Sequence, residues 1–373
     1  MATDIFEATN IPSLSVSEAV NNIYKAYCTA IKKGLGVFFL PAIMLWGPPG
    51  IGKSDFVRQL AVMIEKETGK KVNIIDLRLL LFNPIDLRGI PTASEDKTAA
   101  IWLKPKIFDM DDSEDVINIL FLDELSACAP SVQAAAYQIT LDRIIGEHRL
   151  PDNCIVIAAG NRVTDKCVTY KMAKALANRL CHIEITASFS SWLKWARENG
   201  INHKVIDFLA ARQDYFMAFD PQKDDLAFPT PRSWEMVSKV LEVYDGDEKA
   251  ARPMIAGCVG LGAATEFIMF CTVYHKLPSI DDIFEGRNPA APFETDALFA
   301  LVSSMVAYAR DHKDDFRKIG NAIAYSEKFS PDFSVSFMKE LISIEPDYRK
   351  KLITIPAYSK WMERRGRLLN GII

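Results

Sequence analysis

Residues 42–54 read Ala42-Ile43-Met44-Leu45-Trp46-Gly47-Pro48-Pro49-Gly50-Ile51-Gly52-Lys53-Ser54, and the fold of the first half of the chain turns on them. The first five, all apolar, make a strand. The next eight fit the pattern GxxxxGK[ST], and the stretch SDFVRQLAVMIEKETG (54–69) that follows has helical spacing. Glycines in such a loop let backbone N–H groups close around phosphate oxygens; Lys53 would reach the β- and γ-phosphates, and the Ser54 hydroxyl suits Mg2+. A phosphate held there would lie at a helix N-terminus, where unpaired N–H groups and the helix dipole favour an anion. The bland alternative is a glycine-proline turn that fits by chance; the strand before it and the helix after it argue against that.

The chain around this loop has 373 residues, enough for two domains and a smaller third unit. Hydrophobic residues at 49% and charged ones at 25% are ordinary for a globular protein. A net charge of -4 and a pI near 5.9 argue against a nucleic-acid binder driven by overall charge, though not against a local basic patch. The seven cysteines include no CxxC pair and suggest scattered thiols in a reducing cytosol, so a cytoplasmic location is expected. MATDIFEATN has no basic region followed by an apolar core, so no signal peptide is expected. The longest apolar run, Leu35 to Trp46, contains Pro41 and falls short of the roughly 20 residues a membrane span needs.

Outward from the loop, short apolar runs alternate with helical stretches, the pattern of a parallel α/β sheet. The strand candidates are AIMLW (42–46), VNIIDL (72–77), INILFLD (117–123), CIVIAAG (154–160) and CHIEI (181–185), each apolar enough to be covered on both faces. After about residue 188 strand signals stop, and helices are expected in SSWLKWARENG, HKVIDFLAARQDYF and PRSWEMVSKVLEVY. The segment KLPSIDDIFEGRNPAAPFETD (276–296) reads as a boundary loop, with three or four helices beyond it.

Four more places carry chemistry. The run ILFLDE ends in Asp123 and Glu124: the first acid can hold Mg2+, the second can orient and polarise an attacking water, and otherwise the pair is a helix N-cap region. Asn161, at the tip of CIVIAAG, is a carboxamide able to hydrogen-bond that water, or else a turn asparagine. In KALANRLCHI (174–183), Arg179 stands where an alanine-rich helix meets a strand, with no acid nearby in sequence. Thr230-Pro231-Arg232 opens a helix with a plausible N-cap and a proline in the first turn, which leaves Arg232 at the positive helix end, where an anion would relieve it.

Phosphate loop, acidic strand, strand-tip asparagine, arginine and second-domain arginine occur here in an order that resembles AAA+ ATPases. The segments LFNPIDLRGIP (81–91), ILFLDELSACAPSVQAAAYQI (119–139) and LPDNCIVIAAGNR (150–162) resemble those of the MoxR family around its helix-2 insertion, Walker B strand and sensor 1. The resemblance covers about residues 35 to 250. It implies a five-stranded parallel sheet in the order 5-1-4-3-2 within an α/β core at 1–188, an α-helical lid at 189–275 and a C-terminal helical region at 276–373. It implies ATP and Mg2+ as ligands, with Gly47, Pro48, Pro49, Gly50, Ile51, Gly52, Lys53 and Ser54 forming Walker A, and Asp123 and Glu124 forming Walker B. Ser54 and Asp123 would hold the metal, Asn161 would be sensor 1, Arg232 sensor 2 and Arg179 the arginine finger. Many relatives carry an acid immediately before that arginine; this chain has Asn178.

By the same resemblance, MoxR-like proteins form hexameric rings, remodel or mature client complexes and work with a partner bearing a von Willebrand factor A domain. No MIDAS-type DxSxS motif is expected in this chain, so that partner would be a separate polypeptide. The segment Arg88–Trp102 reads as a hairpin, either the family's pore-facing insertion or an ordinary surface hairpin, and RIIGEHRLP (143–151) as a second. The five histidines lack ligand spacing, so no protein-built metal site is expected. The acidic run Asp109–Asp115 reads as a solvated loop, and the basic run Lys360–Arg367 as a solvated helix end. The expected function is ATP-driven remodelling; the alternatives are a nucleotide-gated scaffold with little turnover and a DNA-processing motor.

Overall fold

The computed structural model describes residues 10–165, 169–170, 172–274 and 277–370. The N-terminal decapeptide read for a leader lies outside them except for Asn10, and so does Lys276 at the start of the boundary loop. The chain forms two compact units, one running to Trp192 and including Phe219–Asp224, the other taking Leu193–Ala218 and everything from Asp225 on.

In the first unit β1 (Ser13–Ser15) leads into α1 (Val16–Lys32), β2 (Ala42–Trp46) into α2 (Lys53–Thr68), and β3 (Lys71–Arg78) into the short α3 (Pro84–Arg88). A hairpin, β4 (Ile90–Ala93) and β5 (Ala100–Leu103), precedes β6 (Val116–Asp123) and α4 (Pro130–Asp142). A second, β7 (Ile144–Ile145) and β8 (His148–Arg149), precedes β9 (Cys154–Gly160), the one-turn α5 (Lys174–Ala177) and β10 (Leu180–Thr186).

Six strands form one parallel sheet in the order β1-β10-β2-β9-β6-β3. This corrects the expected five-stranded sheet: the order 5-1-4-3-2 omits an edge strand. Ser13-Leu14-Ser15 is too short and polar to read as a strand, and it is held there by the sheet itself. Its residues pair with Glu184–Thr186, and the Ser13 hydroxyl donates to the Glu184 carboxylate at 2.6 Å. At the opposite edge β3 departs from the expectation of burial on both faces, since Lys71, Ile74, Asp76 and Arg78 are exposed. The central strands β6 and β9 meet that expectation, with every residue but Asp123 buried.

Local signals set the helix ends. Ser15 caps α1 in a reciprocal box with Glu18, and Gly69, at φ +69°, terminates α2 in the left-handed conformation glycine adopts without strain. Beneath the sheet α2 packs on β3, β6 and β9; Val132, Ala136 and Ile139 of α4 share a core with Met44, Leu120, Leu122, Val156 and Ala158. The segment Arg88–Trp102 is a hairpin, as is 143–151, and the two meet where His148 Nε2 lies 2.7 Å from the Trp102 carbonyl. Ile90, Ile101 and Leu103 of the first are exposed, and a cavity of about 480 Å³ lies between that hairpin and α3.

After α6 (Phe189–Glu198) follow α7 (His203–Ala211), α8 (Pro231–Val243), α9 (Arg252–Val259) and α10 (Leu261–Tyr274). Phe208 of α7 centres an aromatic group with Trp234, Phe267 and Phe270 at centroid distances of 5.3, 5.4 and 5.7 Å. The expected boundary loop contains a helix, α11 (Ile280–Phe284), because Ile283 and Phe284 bury themselves in the C-terminal core. Among the described residues five helices follow instead of three or four: α12 (Thr295–Asp311), α13 (Phe316–Ser326), α14 (Pro331–Ile342), α15 (Tyr348–Leu352) and α16 (Pro356–Asn370).

Two further readings of this region change. The spelling DxSxS does occur, at Asp332-Phe333-Ser334-Val335-Ser336, but it lies in α14, where Ser334 is fully buried and accepts the Trp361 indole N–H at 2.9 Å. A helix turned into a core offers no metal-binding loop. The basic run on α16 is exposed at Lys360, Arg364 and Arg367, as a solvated helix end would be, but it is engaged in part: Arg364 pairs with Glu327, and Arg365 donates to the Glu327 and Phe329 carbonyls at 2.9 and 3.3 Å. Among the described residues no helix is long and apolar enough to cross a membrane.

Burial separates the thiols. Desolvation pushes Cys128 up to about 11 and Cys154 and Cys271 up to about 12, whereas Cys181 is exposed. Because only the thiolate reacts, alkylation of the native protein at pH 8 should modify Cys181 and spare Cys128, Cys154 and Cys271, which should label only after denaturation. Peptide mass mapping reads the result directly.

Candidate functional site

The chain reverses between β2 and α2 through Gly47, Gly50 and Gly52, at φ +157°, +76° and +107°. At Gly52, the N-cap of α2, no side chain caps the helix, so its first N–H groups face the loop. Gly47 is also needed for space, since a Cβ there would sit 2.9 Å from the Ile185 carbonyl oxygen. Pro48 supplies a carbonyl to the site, and Ile51 anchors the loop by burial.

Lys53 is 9% exposed, and its ammonium donates to Gly47 O at 2.6 Å, Pro48 O at 3.0 Å and Asn161 Oδ1 at 2.9 Å. The Ser54 hydroxyl lies 3.5 Å from Asp123 Oδ2. Glu124 follows in left-handed backbone at φ +60°, its N–H donating to Asp123 Oδ1 at 2.9 Å. The acids open a turn and not a helix, for α4 starts only at Pro130 with Ala129 as its N-cap. β2, β9 and β6 are neighbours, so Lys53, Ser54, Asp123, Glu124 and Asn161 gather at the C-terminal ends of adjacent parallel strands. That end of an open α/β sheet is where ligands bind.

Several supporting residues escape a motif reading. Ser126 donates to the Asn161 carbonyl at 3.0 Å and lies so close to Gly160 that a Cβ there would meet its Oγ at 2.5 Å. Arg162 binds Asp165 at 2.7 Å and pairs with Glu184, which also takes the Ser13 hydroxyl. A glutamate within the strand CHIEI was the available signal, because a buried carboxylate requires a partner. Asp76 of β3 stands beside Asp123; desolvation, then the Asp123 carboxylate, raise its carboxyl above the usual range, against Arg78 and Arg58.

The sequence marks two further arginines. Arg179 lies in the turn after α5 with its guanidinium over the Tyr137 ring of α4, 4.1 Å from the centroid, and its Nη1 is buried without a hydrogen-bond partner among the described residues. Arg232, in the second unit, is exposed in the first turn of α8, whose cap is the Thr230 hydroxyl accepting from the Ser233 N–H at 3.1 Å.

Residues 43–185 match the family described as ATPase family associated with various cellular activities (AAA). No curated protein compared with the chain matches it. Among solved structures, a RuvB point mutant from Thermotoga maritima aligns at 17% identity over 78% of this chain and 84% of its own, with a TM-score of 0.39. NtrX from Brucella abortus aligns at 13% identity over 89% of this chain and 67% of its own, with a TM-score of 0.34. Both lie below the likeness at which a shared fold would be argued.

The Glu184 cluster has a measurable weight. Glu184 is 1% exposed and Arg162 20%, so Glu184→Gln weakens a largely buried pair while leaving Arg162 its bond to Asp165. Urea unfolding should show a loss of about 2–3 kcal/mol, below the full penalty of a stranded buried charge. A loss under about 0.5 kcal/mol, the size of an ordinary surface change, would contradict this reading.

Proposed function

We propose that the AAA domain hydrolyses ATP with Mg2+, and that the chain works as a hexameric ring of the MoxR type. The ring would remodel, activate or mature a client protein complex, with a separate von Willebrand factor A domain protein as partner. The observation that carries the hydrolysis reading is the convergence of Lys53, Ser54, Asp123, Glu124 and Asn161 at one strand end. The ring and its clients rest on the resemblance of residues 81–91, 119–139 and 150–162 to MoxR segments.

A hydroxyl and a carboxylate already in contact, Ser54 and Asp123, are oxygen donors of the kind Mg2+ takes, so the residues present fit it. Held there, the ion would supply positive charge against the β- and γ-phosphates. Lys53 would exchange the Gly47 and Pro48 carbonyls for phosphate oxygens, a stronger charge-assisted pairing. Glu124 and Asn161 would orient a water for attack on the γ-phosphorus. The new oxygen–phosphorus bond forms as the bond to the β–γ bridging oxygen breaks; ADP leaves with that electron pair, and the water's proton would pass to the Glu124 carboxylate. Arg232 would reach the phosphates from the helical lid, and Arg179 would reach the nucleotide of the next copy. Among the described residues Arg179 lies over the Tyr137 ring and its Nη1 has no hydrogen-bond partner, so it is not committed to an acid there.

Glu124→Gln should bind ATP normally and release phosphate about 10² to 10⁴ times more slowly; wild-type turnover would sink the mechanism. Arg179→Ala should fold and bind ATP but lose about 10³-fold or more in rate. Mixed with Lys53→Ala, itself inactive, it should regain activity, because an intact pocket then meets an intact arginine. Mixtures no more active than either parent, with a monomer persisting in ATP, would count against the ring.

A further inference from the structure

One side-chain bridge spans the interval between the phosphate loop and Arg179, and the motifs do not include it. Trp46, the last residue of β2 and the one before Gly47, donates its indole N–H to His182 Nδ1 at 2.8 Å. The other ring nitrogen, His182 Nε2, lies 2.7 Å from the carbonyl oxygen of Ala177, the last residue of α5. The indole can only donate and the carbonyl can only accept, so His182 is neutral with its proton on Nε2. The two rings are stacked, 17° from parallel with centroids 6.0 Å apart. The strand pairing explains the contact: β10 runs parallel to β2 with Glu184 beside Trp46, which places His182 and Trp46 on one face.

Ala177 is two residues before Arg179, and the turn between them is held by the Arg179 N–H on the Leu176 carbonyl at 3.0 Å. The guanidinium lies over the Tyr137 ring, and among the described residues its Nη1 has no hydrogen-bond partner to set its direction. Where that guanidinium points therefore depends on where the α5 turn sits, and the turn is tied to the sheet through His182.

We propose that His182 is a positioning residue: it fixes the turn carrying Arg179 to Trp46, at the root of the chain's own phosphate loop, and so sets the aim of the arginine a subunit offers its neighbour. This rests on the reading of Arg179 as a group acting on the next copy. His182 touches no reacting atom in this scheme. Its effect is felt in the neighbour's pocket and not chiefly in its own.

Mixed assemblies test this. A donor subunit carrying Lys53→Ala has no working pocket but an intact arginine; an acceptor carrying Arg179→Ala has the reverse, so activity of the mixture reads one arginine acting on one pocket. His182→Ala placed on the donor should lower that activity roughly 10- to 100-fold, the size expected when a catalytic group is displaced by about an ångström. Placed on the acceptor it should cost at least about tenfold less, which also shows that the variant folds and assembles. His182→Gln, which keeps an acceptor and a donor on one planar group, should restore part of the donor's activity. Equal losses from either position, or none from the donor, overturn the positioning role while leaving the arginine's role intact. A mixture that is inactive before His182 is changed overturns the arginine's role, and the positioning role falls with it.

Discussion

A cation at the wrong end of a helix organises this molecule. Lys53 stands in the first turn of α2, where the helix dipole repels positive charge, and it is 9% exposed. An ammonium in such a place requires acceptors, and three of those it finds are two carbonyls of the loop that precedes it and the side chain of Asn161. The first two demand a tightly curled loop, hence the glycines in positive-φ backbone. The third demands that β9 lie directly beside β2, although more than a hundred residues separate them in sequence. β6 then pairs on the far side of β9, and β10 on the far side of β2. An anion placed in the loop would answer the dipole and the lysine together.

How far the sequence reveals this depends on where each constraint lives. Strands covered on both faces are visible because burial leaves them apolar, and β2, β6, β9 and β10 lie within a residue of their expected bounds. The residues of the phosphate loop and the acidic strand are visible because their spacing is local. What escapes are features fixed from a distance. Ser13–Ser15 becomes a strand only because β10 offers an open edge, and nothing in three polar-flanked residues announces it. Asp332–Ser336 shows the opposite failure, since a five-letter pattern has no meaning once Trp361 claims its serine. Arg162 and Glu184 are joined across the sheet, and only the cost of burying a lone carboxylate hints at the pair.

The helical half of the chain is legible in outline and not in detail. Periodicity places α6, α7 and α8, but the segment 276–296 reads as a loop because proline, glycine and aspartate dominate it. Ile283 and Phe284 are enough to fold α11 onto the C-terminal core despite that composition. Tertiary burial here overrides local preference, as it commonly does for short helices. The basic face of α16 likewise becomes a clamp on the turn between α13 and α14 only when those helices are present.

Gly160 and Ser126 lie too close for even a methyl group between them, and the chain on either side is laced across the same gap. The Ser126 hydroxyl binds the Asn161 carbonyl, and the Leu125 N–H binds the Ala159 carbonyl at 2.9 Å. The tips of β6 and β9, which carry Glu124 and Asn161, are therefore coupled: a displacement of either has to break these contacts or carry the other with it.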